Sequence, residues 1–273
     1  MISELPFNSE QAELGKILEG IVRAGEKILE IYETDFSTQI KDDDSPVTQA
    51  DIESNHIIKD VLSNTGIPIL SEEDEDDKSR LDKERIWIVD PLDGTQDFIN
   101  KTGEFTILVG LVKNHIPILG LVYLPTENIL YLAEKDKGAF CYKSQNWRKI
   151  SVRKNEDLKD CLALVSRHHL SKDEERILQN LGIDNLGKIG SALKTMEIAS
   201  GRADVYLTTT NKIKQWDTCA PYCIISEAGG KMTDLKGDEI LYNTEIVHHL
   251  NGILVTNGAV HQNTIEIISK LDS

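Results

Sequence analysis

Asp90-Pro91-Leu92-Asp93-Gly94-Thr95 follows directly on the apolar run Ile86-Trp87-Ile88-Val89. The run has the length and β-branched character of a buried strand, and its pattern predicts that the strand stops at Asp90. Two carboxylates then stand three residues apart around a turn. Pro91 restricts the backbone and Gly94 frees it, so both acids and the Leu92 carbonyl can point into one cavity. Converging hard oxygens suit Mg²⁺, which takes a few carboxylates together with water and phosphate oxygens. The Gly94 and Thr95 amides can meet an anion if a helix begins there. The same residues also read as a plain Pro-Asp-Gly turn with Thr95 as the N-cap.

Upstream, the apolar run Ile67–Leu70 leads into Ser71-Glu72-Glu73-Asp74-Glu75-Asp76-Asp77. Such an acidic run is usually a solvated loop. Glu72 differs, because it sits at the lip of a buried element and is a better ligand candidate than Asp76 or Asp77. Earlier still, Thr48-Gln49-Ala50-Asp51 has the spacing of a capping box and opens a helix running to about Ser63. Capping leaves one oxygen of Asp51 for a second task. Downstream, Trp216-Asp217-Thr218-Cys219-Ala220 starts a helix closed by Gly229-Gly230. Asp217 reads there either as an N-cap or as a carboxylate turned toward a cation.

The remaining elements fall around these segments. Helical spacing runs from about Asn8 to Tyr32, with Asn8 and Gln11 as a capping box. A loop is predicted over Lys41–Pro46. Strands are predicted at Phe105–Val112, Ile116–Tyr123 and Ile129–Ala133, with turns at Asn114-His115 and Pro125-Thr126. The first half is thus two helices against a mostly antiparallel sheet. The second half alternates: strand Cys161–Val165, helices Lys172–Leu181 and Ser191–Ser200, strand Ala203–Leu207, helix Asp217–Ala228, strand Ile253–Thr256 and a final helix from Val260. An α+β part followed by an α/β part places a boundary near Asp157–Asp160. The expected division is residues 1–158, with most of the ligands, and residues 159–273, completing the site.

Composition narrows the function. Among 273 residues, Lys plus Arg number 30 and Asp plus Glu 46, a formal charge of −16. That balance argues against nucleic acid or an anionic membrane as partner. An anionic small molecule remains compatible, because bound metal ions reverse the local field. Ile107–Val112 and Ile116–Leu124 are too short to span a bilayer, and Met1–Pro6 shows no secretory signal. Cys141, Cys161, Cys219 and Cys223 lack CxxC spacing and read as reduced, buried thiols. A cytoplasmic protein, monomeric or homodimeric, is expected.

Taken together, Glu72-Glu73, Asp90–Thr95 and Trp216-Asp217…Ala228-Gly229-Gly230 resemble the inositol-monophosphatase superfamily of Mg²⁺-dependent, lithium-sensitive phosphomonoesterases. The resemblance runs from about Gly15 to Thr256 and implies a layered α-β-α-β-α sandwich. Asp44–Asp51, Leu70–Asp74, Gly103-Glu104-Phe105-Thr106 and Pro117–Tyr123 resemble in particular the CysQ-like 3′(2′),5′-bisphosphate nucleotidases of sulfur metabolism. Trp216–Pro221 is similar to the animal bisphosphate nucleotidases.

The resemblance implies that Glu72, Asp90 and the Leu92 carbonyl hold one Mg²⁺, and that Asp90, Asp93 and Asp217 hold a second. A third ion would share Glu72 with water. Asp51 and Thr95 would activate the attacking water, with Glu72 beside them in the catalytic set. Asp93, Gly94, Thr95 and Asp217 would meet the phosphate. Inositol-specific members usually carry a sugar-binding glutamate at the position of Thr210, which weakens an inositol reading here. Ser166-Arg167-His168-His169 and Gly190-Ser191-Ala192-Leu193-Lys194 are similar to the nucleotide-lining segments. They imply that His168 or His169, Ser191 and Lys194 recognise the substrate's 5′-phosphate side.

The implied reaction is hydrolysis of adenosine 3′,5′-bisphosphate, or its sulfated relative, by metal-activated water. A sugar- or inositol-phosphate phosphatase uses the same chemistry on another substrate. A silent nucleotide- or metal-binding protein is the third reading, and the complete ligand set speaks against it.

Overall fold

A computed structural model describes residues 4–11, 13–40, 46–167 and 170–271. Helix α1 (Leu14–Tyr32) buries Leu14, Ile17, Leu18, Ile21, Ala24 and Ile28 on one face. It begins later than the Asn8 start predicted from spacing. Glu13 precedes it without a side-chain cap, and the Gln11 amide bonds Ser9 Oγ instead. Strands β1 (Thr38–Ile40) and β2 (Pro46–Thr48) pair as a short ribbon. Most of the loop predicted between them lies outside the described residues. Helix α2 (Gln49–Ser63) opens on the expected capping box, with the Thr48 amide donating to Asp51 at 2.8 Å.

Seven strands follow in sequence order in one sheet: β3 (Ile69–Ser71), β4 (Arg85–Asp93), β5 (Thr106–Lys113), β6 (Ile116–Leu124), β7 (Ile129–Glu134), β8 (Gly138–Lys143) and β9 (Asn146–Ile150). Only the β3–β4 pair is parallel. Asn114 and His115 both adopt positive φ in the β5–β6 turn, as a twisted two-residue hairpin requires. Strand β4 does not stop at Asp90, as its apolar run suggested. It pairs Asp90 with Leu108 and Asp93 with Thr106, so an extra residue bulges between the two acids. Pro91, which has no amide to donate, sits inside that bulge.

Beyond β4, the five-residue helix α3 (Thr95–Ile99) starts from Gly94, whose φ of 94° needs glycine. A second sheet gathers β10 (Leu162–Ser166), β11 (Asn185–Ile189), β12 (Val205–Thr208), β13 (Lys231–Thr233) and β14 (Ile253–Thr256) in the order β11-β10-β12-β14-β13. Strand β10 is parallel to both neighbours, whereas β14 is antiparallel to both of its own. Helices α4 (Lys172–Leu181), α5 (Leu193–Ala199), α6 (Gln215–Glu227) and α7 (His261–Ser269) complete the chain. Helix α5 is shorter than predicted because Ser191 is left-handed, with φ 49°.

Among the described residues, three apolar cores separate five layers. Helices α1 and α2 cover the outer face of the first sheet, packing with Trp87, Val89, Leu111 and Leu121. Between the sheets, Met196 of α5 and Trp216 and Ile224 of α6 meet Ile86, Ile88 and Leu108 on one side and Leu164 and Val255 on the other. Leu178, Leu181 and Ile268 of α4 and α7 close the outer face of the second sheet over Val205, Leu207 and Leu254. The result is the α-β-α-β-α sandwich. Gly110 and Gly120 let α6 approach the first sheet closely. A Cβ on either would come within 2.4 Å of Cys219 Sγ or the Ala220 carbonyl. That close seating carries the first turn of α6 to the mouth of β4.

Candidate active site

Parallel pairing of β3 with β4 sets the site. The Glu72 amide donates to the Val89 carbonyl at 3.1 Å, continuing the ladder one residue past β3 and setting Glu72 beside Asp90. Helix α6 supplies Asp217 from the opposite side. Glu72, Asp90 and Asp217 each bring one carboxylate oxygen within 4.8 Å of the others. Asp217 is neither a simple N-cap nor ahead of the helix. It lies in the first turn of α6, where it accepts the Lys214 amide at 2.7 Å.

Gathering like charges in a buried place costs free energy. Burial, reinforced by Glu72, Asp93 and Asp217, pushes the Asp90 carboxyl well above its ordinary range. Burial followed by the charges of Glu72 and Asp93 does the same for Asp217. Asp93 is pushed up to about 6, mainly by burial. A bound divalent cation would cancel this repulsion, and a donor set made only of oxygens matches a hard ion. The residues therefore fit a metal centre.

Asp93 stands beside the triplet rather than in it. Its Oδ2 accepts Thr106 Oγ1 at 3.0 Å and the Ala192 amide at 2.5 Å. Leu92 is buried, and its carbonyl lies 3.3 Å from Thr95 Oγ1. The same hydroxyl is 3.1 Å from Asp51 Oδ1, while Asp51 Oδ2 is held by the amide and hydroxyl of Thr48. Burial raises the Asp51 carboxyl, against the hydrogen bonds that lower it. Residues 44 positions apart thus form one acid–hydroxyl pair next to the carboxylate cluster.

The nucleotide-side candidates are distributed less evenly. Ser191 packs over the β4–α3 turn, where a Cβ on Gly94 would lie 3.2 Å from its own Cβ. Lys194 is buried, and its ammonium donates to the Ser191 carbonyl at 2.7 Å. Burial lowers its pKa, opposed by Asp93, Asp97, Glu104 and Asp217. His168 and His169 lie outside the described residues. Two features escaped the sequence reading. Tyr206 places its ring 5.1 Å from the Lys194 ammonium, and strand alternation on β12 was the signal that it faces inward. Glu104 was noted only within a motif, yet it accepts the Gly190 amide at 2.6 Å.

Among the described residues, no helix is long and apolar enough to cross a membrane. All four cysteines are free, three buried and Cys141 half-buried. The model of the inositol monophosphatase family matches residues 10–273. The 3′(2′),5′-bisphosphate nucleotidase CysQ of Escherichia coli K12 is 36% identical over 228 residues, 80% of this chain and 89% of that protein. The crystal structure of CysQ from Bacteroides thetaiotaomicron, itself described as a bacterial member of the inositol monophosphatase family, superposes with TM-score 0.79 at 30% identity. The match covers 90% of this chain and 97% of that one. The extragenic suppressor protein SuhB from Bartonella henselae superposes with TM-score 0.80 at 25% identity, covering 95% of this chain and 99% of that one.

Proposed function

Because this chain belongs to the inositol monophosphatase family, we propose that it is a Mg²⁺-dependent phosphomonoesterase releasing the 3′-phosphate of adenosine 3′,5′-bisphosphate. The observation that carries the reaction class is the convergence of half-buried Glu72 and Asp217 on buried Asp90, beside the Asp51–Thr95 pair. The likeness to CysQ over four fifths of the chain supports the nucleotide. So does Thr210, which stands where inositol-specific members usually carry a glutamate. The sulfated nucleotide has the same 3′-phosphate and is a second substrate of this proposal.

Glu72, Asp90 and the Leu92 carbonyl would hold one Mg²⁺, and Asp90, Asp93 and Asp217 a second, with a third sharing Glu72. When bound, the ions offset the negative charge of the ester and lower the pKa of water. The chain's own residues then handle the proton. Thr48 occupies Asp51 Oδ2, leaving Oδ1 to face the Thr95 hydroxyl. Thr95 Oγ1 accepts a proton from the attacking water as it passes its own to Asp51 Oδ1. Burial makes the Asp51 carboxylate more basic than an exposed one, which favours that transfer. The Gly94 and Thr95 amides receive the phosphate at the start of α3. Ser191 and Lys194, together with His168 or His169, meet the 5′-phosphate side.

The test is phosphate release from adenosine 3′,5′-bisphosphate and inositol 1-phosphate, measured side by side in millimolar Mg²⁺ and again after chelation. The expected result is clear preference for the nucleotide and loss of both activities without metal. Preference for inositol phosphate would overturn the substrate. Tight nucleotide binding without release would overturn the reaction.

A further inference from the structure

We propose that Glu104 is a positioning residue that latches the Gly190–Lys194 loop over the phosphate turn and so sets affinity for the substrate's second phosphate. This rests on the nucleotidase reading above. Glu104 belongs to the segment just before β5, in the first half of the chain. Both of its oxygens are engaged by the second half. Oε2 accepts the Gly190 amide at 2.6 Å and Arg167 Nε at 3.1 Å, while Oε1 accepts Arg167 Nη2. Arg167 directly follows β10, and Gly190 directly follows β11. One carboxylate therefore ties together the carboxyl-terminal ends of two adjacent parallel strands, where open α/β sheets place their ligands.

The seat beneath the loop admits no side chain. A Cβ on Gly190 would stand 2.3 Å from Asp97 Oδ2, and Asp97 is itself buried and accepts Thr102 Oγ1 at 2.8 Å. With Gly190 pressed onto α3 and held by Glu104, the chain turns through Ser191 in the left-handed region. Two further bonds then complete the loop: the Ala192 amide reaches Asp93 at 2.5 Å, and Lys194 caps the Ser191 carbonyl. Glu104 touches none of the reacting atoms. Its effect is on where Ser191 and Lys194 stand relative to Gly94. The bidentate pairing with Arg167 adds direction that a single hydrogen bond lacks.

The experiment compares the full-length wild type with Glu104→Ala, and with Gly190→Ala as a second route to the same displacement. Kinetics are read on adenosine 3′,5′-bisphosphate and on adenosine 3′-monophosphate, which lacks the second phosphate. Amide hydrogen exchange across residues 185–194 is read without substrate. In both variants KM for the bisphosphate should rise about tenfold, with kcat and the monophosphate kinetics within about twofold. Exchange in the loop should quicken about tenfold while β4 stays protected. Equal loss on both substrates, or unchanged exchange, would overturn the latch. If the wild type hydrolyses neither nucleotide, the nucleotidase reading falls, and the exchange result alone decides whether Glu104 holds the loop.

Discussion

Two of the arginines that join the first half of the chain to the second, Arg80 and Arg167, differ in their own exposure although their carboxylate partners, Asp76 and Glu104, are both 23% exposed. Arg80 is 3% exposed and sits between the acidic loop and the segment bracing α6. Its guanidinium donates to both oxygens of Asp76, to Asn243 Oδ1 at 2.9 Å and to the Thr244 carbonyl at 3.1 Å. Gln215, at the start of α6, continues the path by accepting the Asn243 amide at 2.8 Å. Arg167 makes an equally bidentate pair with Glu104, but its side chain is 35% exposed. The hydrogen-bonding chemistry is the same. Desolvation makes the first a structural tie and leaves the second a small contribution to stability that can still decide geometry.

Breaking the buried tie should have the largest effect. Arg80→Ala strands Asp76 and Asn243 without their partner and should cost about 3–5 kcal/mol of stability. The loss would be read as a lowered urea midpoint at constant slope. A cost under about 1 kcal/mol would erase the contrast between the two arginines.

A buried histidine tests desolvation without any ion pair. His261 is 2% exposed between the hydroxyls of Thr233 and Thr256, and burial, aided by Lys231, lowers its pKa to about 4. The unfolded chain titrates this group near 6.5, so between about 6.5 and 4 the unfolded state binds more protons. Stability is therefore full above that window and falls as pH drops through it, by roughly 3 kcal/mol. His249 is lowered to about 4 as well, so the readout is the difference in slope between wild type and His261→Asn. Identical slopes from pH 7 to pH 4 would mean that burial does not hold His261 neutral.

The smallest stability change is expected at the exposed tie. Arg167→Ala should shift unfolding by less than about 1 kcal/mol, because water already screens the pair. A loss as large as that of Arg80→Ala would show that exposure fails to predict which tie carries the fold.

These contrasts also mark what could be read from residue order. The apolar run before Asp90, the Thr48–Asp51 spacing and the hairpin turn at Asn114-His115 depend on neighbours close in sequence. All three took the form their local chemistry demanded. The end of β4 was harder to read. Whether a strand stops or bulges at Asp90-Pro91 depends on the partner strand, and Leu108 and Thr106 of β5 continue the pairing past the proline. Strands β8, β9 and β11 were missed for a related reason. Edge and half-exposed strands carry little alternation, and their pairing partners supply the order.

By itself the sequence determined the candidate site residues, most of the helices and strands that hold them, and the family to which the chain belongs. Each of those rests on short-range periodicity or on motif spacing. Only the tertiary structure decided which acids meet. It set one carboxylate oxygen each of Glu72, Asp90 and Asp217 within 4.8 Å, turned Asp93 onto Thr106 and Ala192, and tied Glu104 to the Gly190 amide of the loop. Such distances follow from how α6 seats against Gly110 and Gly120 and how the two sheets flank it. That packing joins residues more than a hundred positions apart, and close-range sequence patterns carry no information about it.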